Sequence, residues 1–201
     1  MLTHRVGGIY NGSSYLTFLN MKTYGTIIPN LEIHGKPAPY PVVNERAIRA
    51  TAGIMFLLGF FTFATIFYTK DYSLMYVVVP AFWLDFLLKS VWGPQYSFFG
   101  YIGRKIVSNQ KPEYVGAIQK RFAWSLGLIM ASSMIVIAMI FQIKGLLPFS
   151  ICLTCLTFMW MESSLGICVG CKIYNYLLKK GVLQEPAFQP ACPGGSCCVK
   201  R

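Results

Sequence analysis

Apolar residues run almost without a break from Arg46 to about Tyr68. A helix of that length, rising about 1.5 Å per residue, crosses a hydrocarbon core of roughly 30 Å. A short polar turn at Thr69, Lys70 and Asp71 leads into a second apolar run, from about Tyr72 to Trp92, which carries Pro80 mid-way and then Asp85 and Lys89. A third run covers Phe122 to about Gln142, and a fourth, after a turn around Lys144, covers about 147–178. The fourth is longer than spanning requires. The pattern predicts an all-α integral membrane protein, a four-helix bundle with spans at about 46–68, 72–92, 122–142 and 147–178.

The polar stretches orient those spans. Residues 93–121 hold Arg104, Lys105, Lys111, Lys120 and Arg121 among Tyr96, Phe98, Phe99 and Tyr101, a mixture that suits a short interfacial helix in a long cytoplasmic loop. Lys36, Arg46 and Arg49 lie before or at the first span and Lys172, Lys179 and Lys180 at the end of the last, whereas the two short turns hold only Lys70 and Lys144. The excess of cations on one side predicts a cytoplasmic location for both termini and the long loop. Residues 1–45 read as a partly irregular cytoplasmic segment, with a stiff proline-rich approach from Lys36 to Pro41, and 181–201 as a flexible cysteine-containing tail. No cleavable leader pattern precedes the first span, and Met21 is an alternative start to Met1.

Composition sharpens this picture. The chain is 55% hydrophobic and 12% charged, with a mean hydropathy of +0.51, beyond the range of ordinary soluble domains. The net charge of +11 is distributed beside apolar runs, not gathered into one polar patch with stacking aromatics. It therefore suits anionic lipid headgroups and not nucleic acid.

Seven cysteines, an odd number grouped in or beside apolar helices, do not form the spaced framework of a small secreted domain. Cys152 and Cys155 fall in the outer part of the fourth run, Cys168 and Cys171 near its cytoplasmic mouth, each pair with C-x-x-C spacing. Residues i and i+3 share a helix face, so each pair can meet, ligate a thiophilic metal ion, or close a disulfide. On one straight helix the pairs lie about 24 Å apart and about 160° apart in rotation, which disfavours a wire along one face. Cys152 and Cys155 are equally consistent with small apolar packing residues. Cys168 and Cys171, beside Lys172 and close to water, are the stronger redox or sulfur candidates. Cys192, Cys197 and Cys198 in the tail are accessory thiols on the same expected side.

Charges inside the spans cost at least about 2.5 kcal/mol each on the most lenient scale. Asp85, Lys89, Glu162, Arg46 and Arg49 are therefore expected to form one polar cluster at the cytoplasmic depth of the bundle. His4 and His34, the two histidines, lie outside the spans. There is no Ser-His-Asp order, phosphate-cradling glycine loop or paired catalytic carboxylate, which removes hydrolase and transferase readings.

Val43 to Arg46, Asp85 to Lys89 with Gly93 and Pro94, Lys120 to Ala123 with Gly127, and Glu162 with Cys168-x-Gly170-Cys171-Lys172-x-Tyr174 together resemble the bacterial membrane proteins grouped as domain of unknown function 4395, over about residues 40–180. Lys89 stands where that pattern leads one to expect Arg, keeping the charge without the bidentate geometry. The resemblance implies a bacterial cytoplasmic (inner) membrane location and supplies no established activity. By association alone it implies thioredoxin-like or rhodanese-like cytoplasmic partners.

Three functions are compatible with these residues. Cys168 and Cys171 cycle between dithiol and disulfide or carry sulfur, with no cofactor required. Alternatively, the cysteine pairs bind and hand on a soft metal ion such as mercury, copper(I) or zinc. In the third reading, the chain is a structural membrane subunit with packing cysteines, and its oligomeric state is left open.

Overall fold

A computed structural model describes residues 25–29, 31–33 and 36–183. Met1, Met21, His4, His34 and the tail cysteines Cys192, Cys197 and Cys198 lie outside the described residues. The described part is mostly helical. Its six α-helices are α1 (Glu45–Thr69), α2 (Met75–Val91), α3 (Phe98–Ile106), α4 (Ala117–Met134), α5 (Leu146–Trp160) and α6 (Val169–Lys179). A π turn, Ile135–Ile140, extends α4, and another, Met161–Leu165, extends α5.

Local chemistry sets the ends of α1. The Asn44 carboxamide oxygen accepts the Arg46 N–H at 3.1 Å and opens the helix, with Glu45 in the first turn where a carboxylate complements the helix dipole. Lys70, left-handed at φ 58°, closes it with an N–H donated to the Ile66 carbonyl. Along the helix, Thr51, Thr62, Thr65 and Thr69 donate their hydroxyls to carbonyls one turn back, which satisfies them where no water is needed. Leu57, Phe60, Phe61 and Phe67 point outward and are exposed, the inverse of a soluble helix.

Three helical segments are long and apolar enough to cross a membrane: Glu45–Thr69, Ala117–Ile140 and Leu146–Leu165. The apolar runs read from sequence correspond to α1, α2, the α4 segment and the α5 segment, with one correction. The fourth run is not a continuous helix over 147–178. The π turn after α5 ends at Gly166, whose φ of 66° is left-handed, and Cys168, in extended conformation, starts α6 as a separate helix. A left-handed residue followed by an extended one cannot carry a helix through. The straight-helix separation and rotation of the two cysteine pairs therefore do not apply.

Two short antiparallel pairings complete the fold. β1 (Glu32–Ile33) pairs with β2 (Lys36–Pro37). β3 (Val42–Asn44) pairs with β4 (Tyr114–Gly116), Val43 opposite Val115. Since β3 runs directly into α1 and β4 into α4, this ladder pins the starts of two long helices side by side.

The chain thus repeats one unit. Strand, long helix, returning helix and short helix occur as β3-α1-α2-α3 and again as β4-α4-α5-α6. Packing follows the repeat: α3 lies on α1 as α6 lies on α4, and α2 packs on α4 as α5 packs on α1. Equivalent contacts recur in detail. Arg49 of α1 donates to the Ser163 and Ser164 carbonyls beyond α5, and Arg121 of α4 donates to the Ser90 carbonyl near the end of α2 at 2.8 Å. Each guanidinium thereby meets carbonyls at the end of a helix in the other half. Between the halves, Met55, Phe82, Phe86, Trp124 and Met159 form the core.

Candidate dithiol site

The break at Gly166 decides the geometry of the Cys168 and Cys171 pair. Cys168 is the N-cap of α6, and its sulfur accepts the Cys171 N–H at 3.3 Å. Cys171 Sγ donates to Cys168 Sγ at 2.6 Å. No disulfide joins the two cysteines, and their sulfurs stand within easy reach of a disulfide bond of about 2.05 Å. The repeat has a polar counterpart, since Ser97 caps α3 in the same way, accepting the Gly100 N–H at 2.8 Å. One half thus carries a hydroxyl where the other carries a thiol.

Close approach of α6 to α4 is allowed by Gly170. A Cβ placed there would stand 2.5 Å from the Ala123 Cβ, so only glycine lets the dithiol turn seat. Burial is the consequence: Cys171 is fully inaccessible and Cys168 is 5% exposed. The sequence places this pair close to water; in the structure it is packed against α4, and Cys168 lines a cavity of about 270 Å³.

A buried cation sits beside the sulfurs. Lys120 of α4 is 0% exposed. Its ammonium contacts Glu45 Oε2 at 2.8 Å and Glu162 Oε1 at 2.7 Å, and it interacts electrostatically with Cys168 and Cys171. The two carboxylates share this ammonium, and the Arg49 guanidinium is a second cation within electrostatic reach of Glu45. Removing one partner of such a buried pair costs on the order of 3–5 kcal/mol. Cys171 itself is shifted: the hydrogen bond to Cys168, and then burial, push its pKa well above the usual thiol value. The arrangement places Cys171 as the donor and Cys168, the cap of α6, as the acceptor sulfur, with the Lys120 ammonium within electrostatic reach.

The charges expected to form one cluster are divided. Asp85 and Lys89 pair at 2.5 Å, both buried. Asp85 also accepts the Ser97 hydroxyl at 2.5 Å and the Phe99 N–H at 3.2 Å, tying α2 to α3. Glu162 joins Lys120 and Glu45, although it acts electrostatically on Lys89. Arg49 binds the Ser163 carbonyl. Arg46 is at the surface, 3.9 Å from Glu113, on the outward side of a first turn whose Glu45, Ala47 and Ile48 are buried.

Glu45 and Lys120 are the residues sequence reasoning missed as members of the site. Lys120 was assigned to the loop because the third span was started at Phe122, whereas α4 starts at Ala117. Both lie inside motif segments, Val43 to Arg46 and Lys120 to Ala123, and that was the signal available. Cys152 and Cys155 are half-buried on α5 and are separated from the inner pair by the helix break. Among the described residues no group of three or more His, Cys, Asp or Glu side chains is arranged to hold a metal ion.

Three helical segments of membrane-spanning length and apolarity, with a buried dithiol capping a short helix beside a paired lysine, define an α-helical membrane protein with a thiol centre. Residues 43–179 match the family described as domain of unknown function DUF4395. The chain belongs to that family. No curated protein and no solved structure matches it.

Proposed function

We propose that this is a membrane thiol–disulfide protein in which Cys168 and Cys171 cycle between dithiol and disulfide. The observation that carries this reading is the 2.6 Å contact of the two sulfurs at the N-terminus of α6, next to the ammonium of Lys120. Cys168 is the attacking thiolate and Cys171 the resolving thiol. Oxidation releases two electrons and two protons, and Glu162 and Glu45, sharing one ammonium, are placed to take up a proton as the pair oxidises.

In this reading α2, at 17 residues, is the fourth span. With a length of about 26 Å, it crosses the apolar core with Asp85 and Lys89 at its cytoplasmic end. α3, with Phe98, Tyr101 and Ile106 exposed and Arg104 and Lys105 in its last turn, lies at the interface with anionic headgroups. Both termini face the cytoplasm of a bacterial inner membrane. A thioredoxin-like cytoplasmic partner returns electrons to the pair when the Gly166–Cys168 link lets α6 lift from α4.

Mass-shift alkylation in intact membranes, with peptide mapping and a chelator-treated control, tests this. The expected result is a Cys168–Cys171 pair that becomes protected from alkylation under oxidants and is released by reduction. Protection relieved by chelator would assign the pair to a soft metal ion. A pair that stays reduced and unreactive throughout would make it structural.

A further inference from the structure

The buried dithiol borders a cavity that runs from the loop at Pro94 and Gln95 in among the helices. Cys168 lines the cavity of about 270 Å³ together with Lys89, Arg104 and Glu162, and the flat rings of Phe86 and Trp124 form other parts of its wall. This cavity shares Phe86, Met130, Cys155 and Met159 with a second one of about 390 Å³. The second is apolar, walled by side chains such as Phe63, Phe67 and Met134, and reaches the turns holding Lys70 and Lys144 at the far ends of the helices. Together they form a slot with a polar, aromatic-walled end at Cys168 and an apolar remainder, in the size range of ligand pockets.

We propose that this slot binds a membrane quinone, ring toward Cys168 and apolar chain along the second cavity, and that the quinone oxidises the dithiol. The proposal rests on the thiol–disulfide reading above. A quinone matches each part of the slot. Its ring is flat and stacks on aromatic walls, its carbonyl oxygens accept hydrogen bonds from N–H groups such as those of Lys89 and Arg104, and its chain is apolar. Its apolar chain also partitions into the bilayer that surrounds these helices.

The step balances. Cys168 Sγ, as thiolate, adds to an electrophilic ring carbon and forms a C–S bond. Cys171 then attacks Cys168 Sγ; the S–S bond forms, the C–S bond breaks, and its electron pair passes to the ring. The two thiol protons end on the two quinone oxygens, so one dithiol and one quinone give one disulfide and one quinol. Glu162, on the cavity wall and bonded to Lys120, holds the Cys168 proton between the two stages.

The test uses full-length protein in nanodiscs of phosphatidylcholine and phosphatidylglycerol, reduced and then freed of reductant. Decylubiquinone is added, and its loss of ultraviolet absorbance is followed alongside alkylation of Cys168 and Cys171. Diamide, a small soluble dithiol oxidant, is the parallel reagent. Wild type is expected to reduce one quinone per chain while the pair oxidises, and Cys168→Ser to do neither. Met130→Trp, filling the junction of the two cavities, is expected to slow the quinone reaction at least tenfold with the diamide rate within twofold. Oxidation by diamide but not by decylubiquinone in wild type would overturn the quinone proposal and leave the thiol reading standing. Failure with both reagents would overturn both. Equal quinone rates in wild type and Met130→Trp would overturn the slot as the route.

Discussion

Cys168 and Cys171 are three residues apart, yet the fold gives them different tasks. Cys171 donates to Cys168 and is held as a thiol, chiefly by that bond and then by burial. An ordinary thiol titrates near about 8.5, so the folded chain keeps a proton at Cys171 that the unfolded chain loses above that pH. The sign follows: this group's contribution to stability is complete below about pH 8.5 and declines as the pH rises past it. Thiolate ultraviolet absorbance checks the assignment. The difference between wild type and Cys171→Ala should place the Cys171 ionisation step above the ordinary thiol range, whereas removing the acceptor with Cys168→Ala should move the step downward. A Cys171 that titrates like a free thiol in the wild type would contradict the hydrogen-bonded geometry.

At the scale of elements, the site depends on how α6 meets α4 and how α5 ends. Gly166 stops one helix and Cys168 starts the next, and Gly170 lets the new helix approach Ala123. Gly170→Ala should therefore push α6 away, destabilise the protein by about 1–3 kcal/mol as overpacking does, and loosen the contact between the two sulfurs. Ala123→Gly in the same chain should leave both effects in place, because the added Cβ would also stand 2.6 Å from the Ala123 Cα, which glycine keeps. Thermal unfolding in detergent followed by tryptophan fluorescence, together with the rate of disulfide closure by diamide, reads out the two effects. A double variant restored to wild-type behaviour would mean that α6 is not seated against the Ala123 backbone.

The whole molecule is two copies of one strand-and-helix unit joined through the β3–β4 ladder, with each first helix packed on the other unit's second helix. Both units begin on the same side, so a membrane arrangement has both short helices, α3 and α6, on that side and both turns, around Lys70 and Lys144, on the other. Single cysteines placed at Lys70, Lys144, Ser108 or Lys111 in a cysteine-free chain should divide into two classes toward a membrane-impermeant maleimide. Lys70 and Lys144 should label from outside intact cells, Ser108 and Lys111 only after lysis. Labelling of Lys70 and Ser108 from the same side would remove α2 as a span. The duplicated scaffold carries the cysteine pair in one copy, with Ser97 and the Asp85–Lys89 pair in the other.

Apolar run length alone was enough to mark helices long and apolar enough to span a membrane, because a hydrocarbon core demands about twenty apolar residues in a row and Phe, Leu and Ile over 46–68 supply them. The Cys168 and Cys171 spacing and the cost of Glu162 in an apolar run were legible for the same kind of local reason. The helix break was not, since Gly166, Ile167 and Cys168 are compatible with a continuing apolar helix until Gly166 adopts its left-handed turn against Arg49, whose guanidinium packs beside it. Nor was the choice of partners: Lys120 joins Glu45 and Glu162, residues 75 and 42 positions away, while Asp85 keeps Lys89. Charge pairing across a bundle is decided by which helix faces meet, and the internal slot that opens at Cys168 exists only between packed helices. The sequence by itself determined that these groups must be buried and paired; tertiary packing decided with whom, and toward what opening.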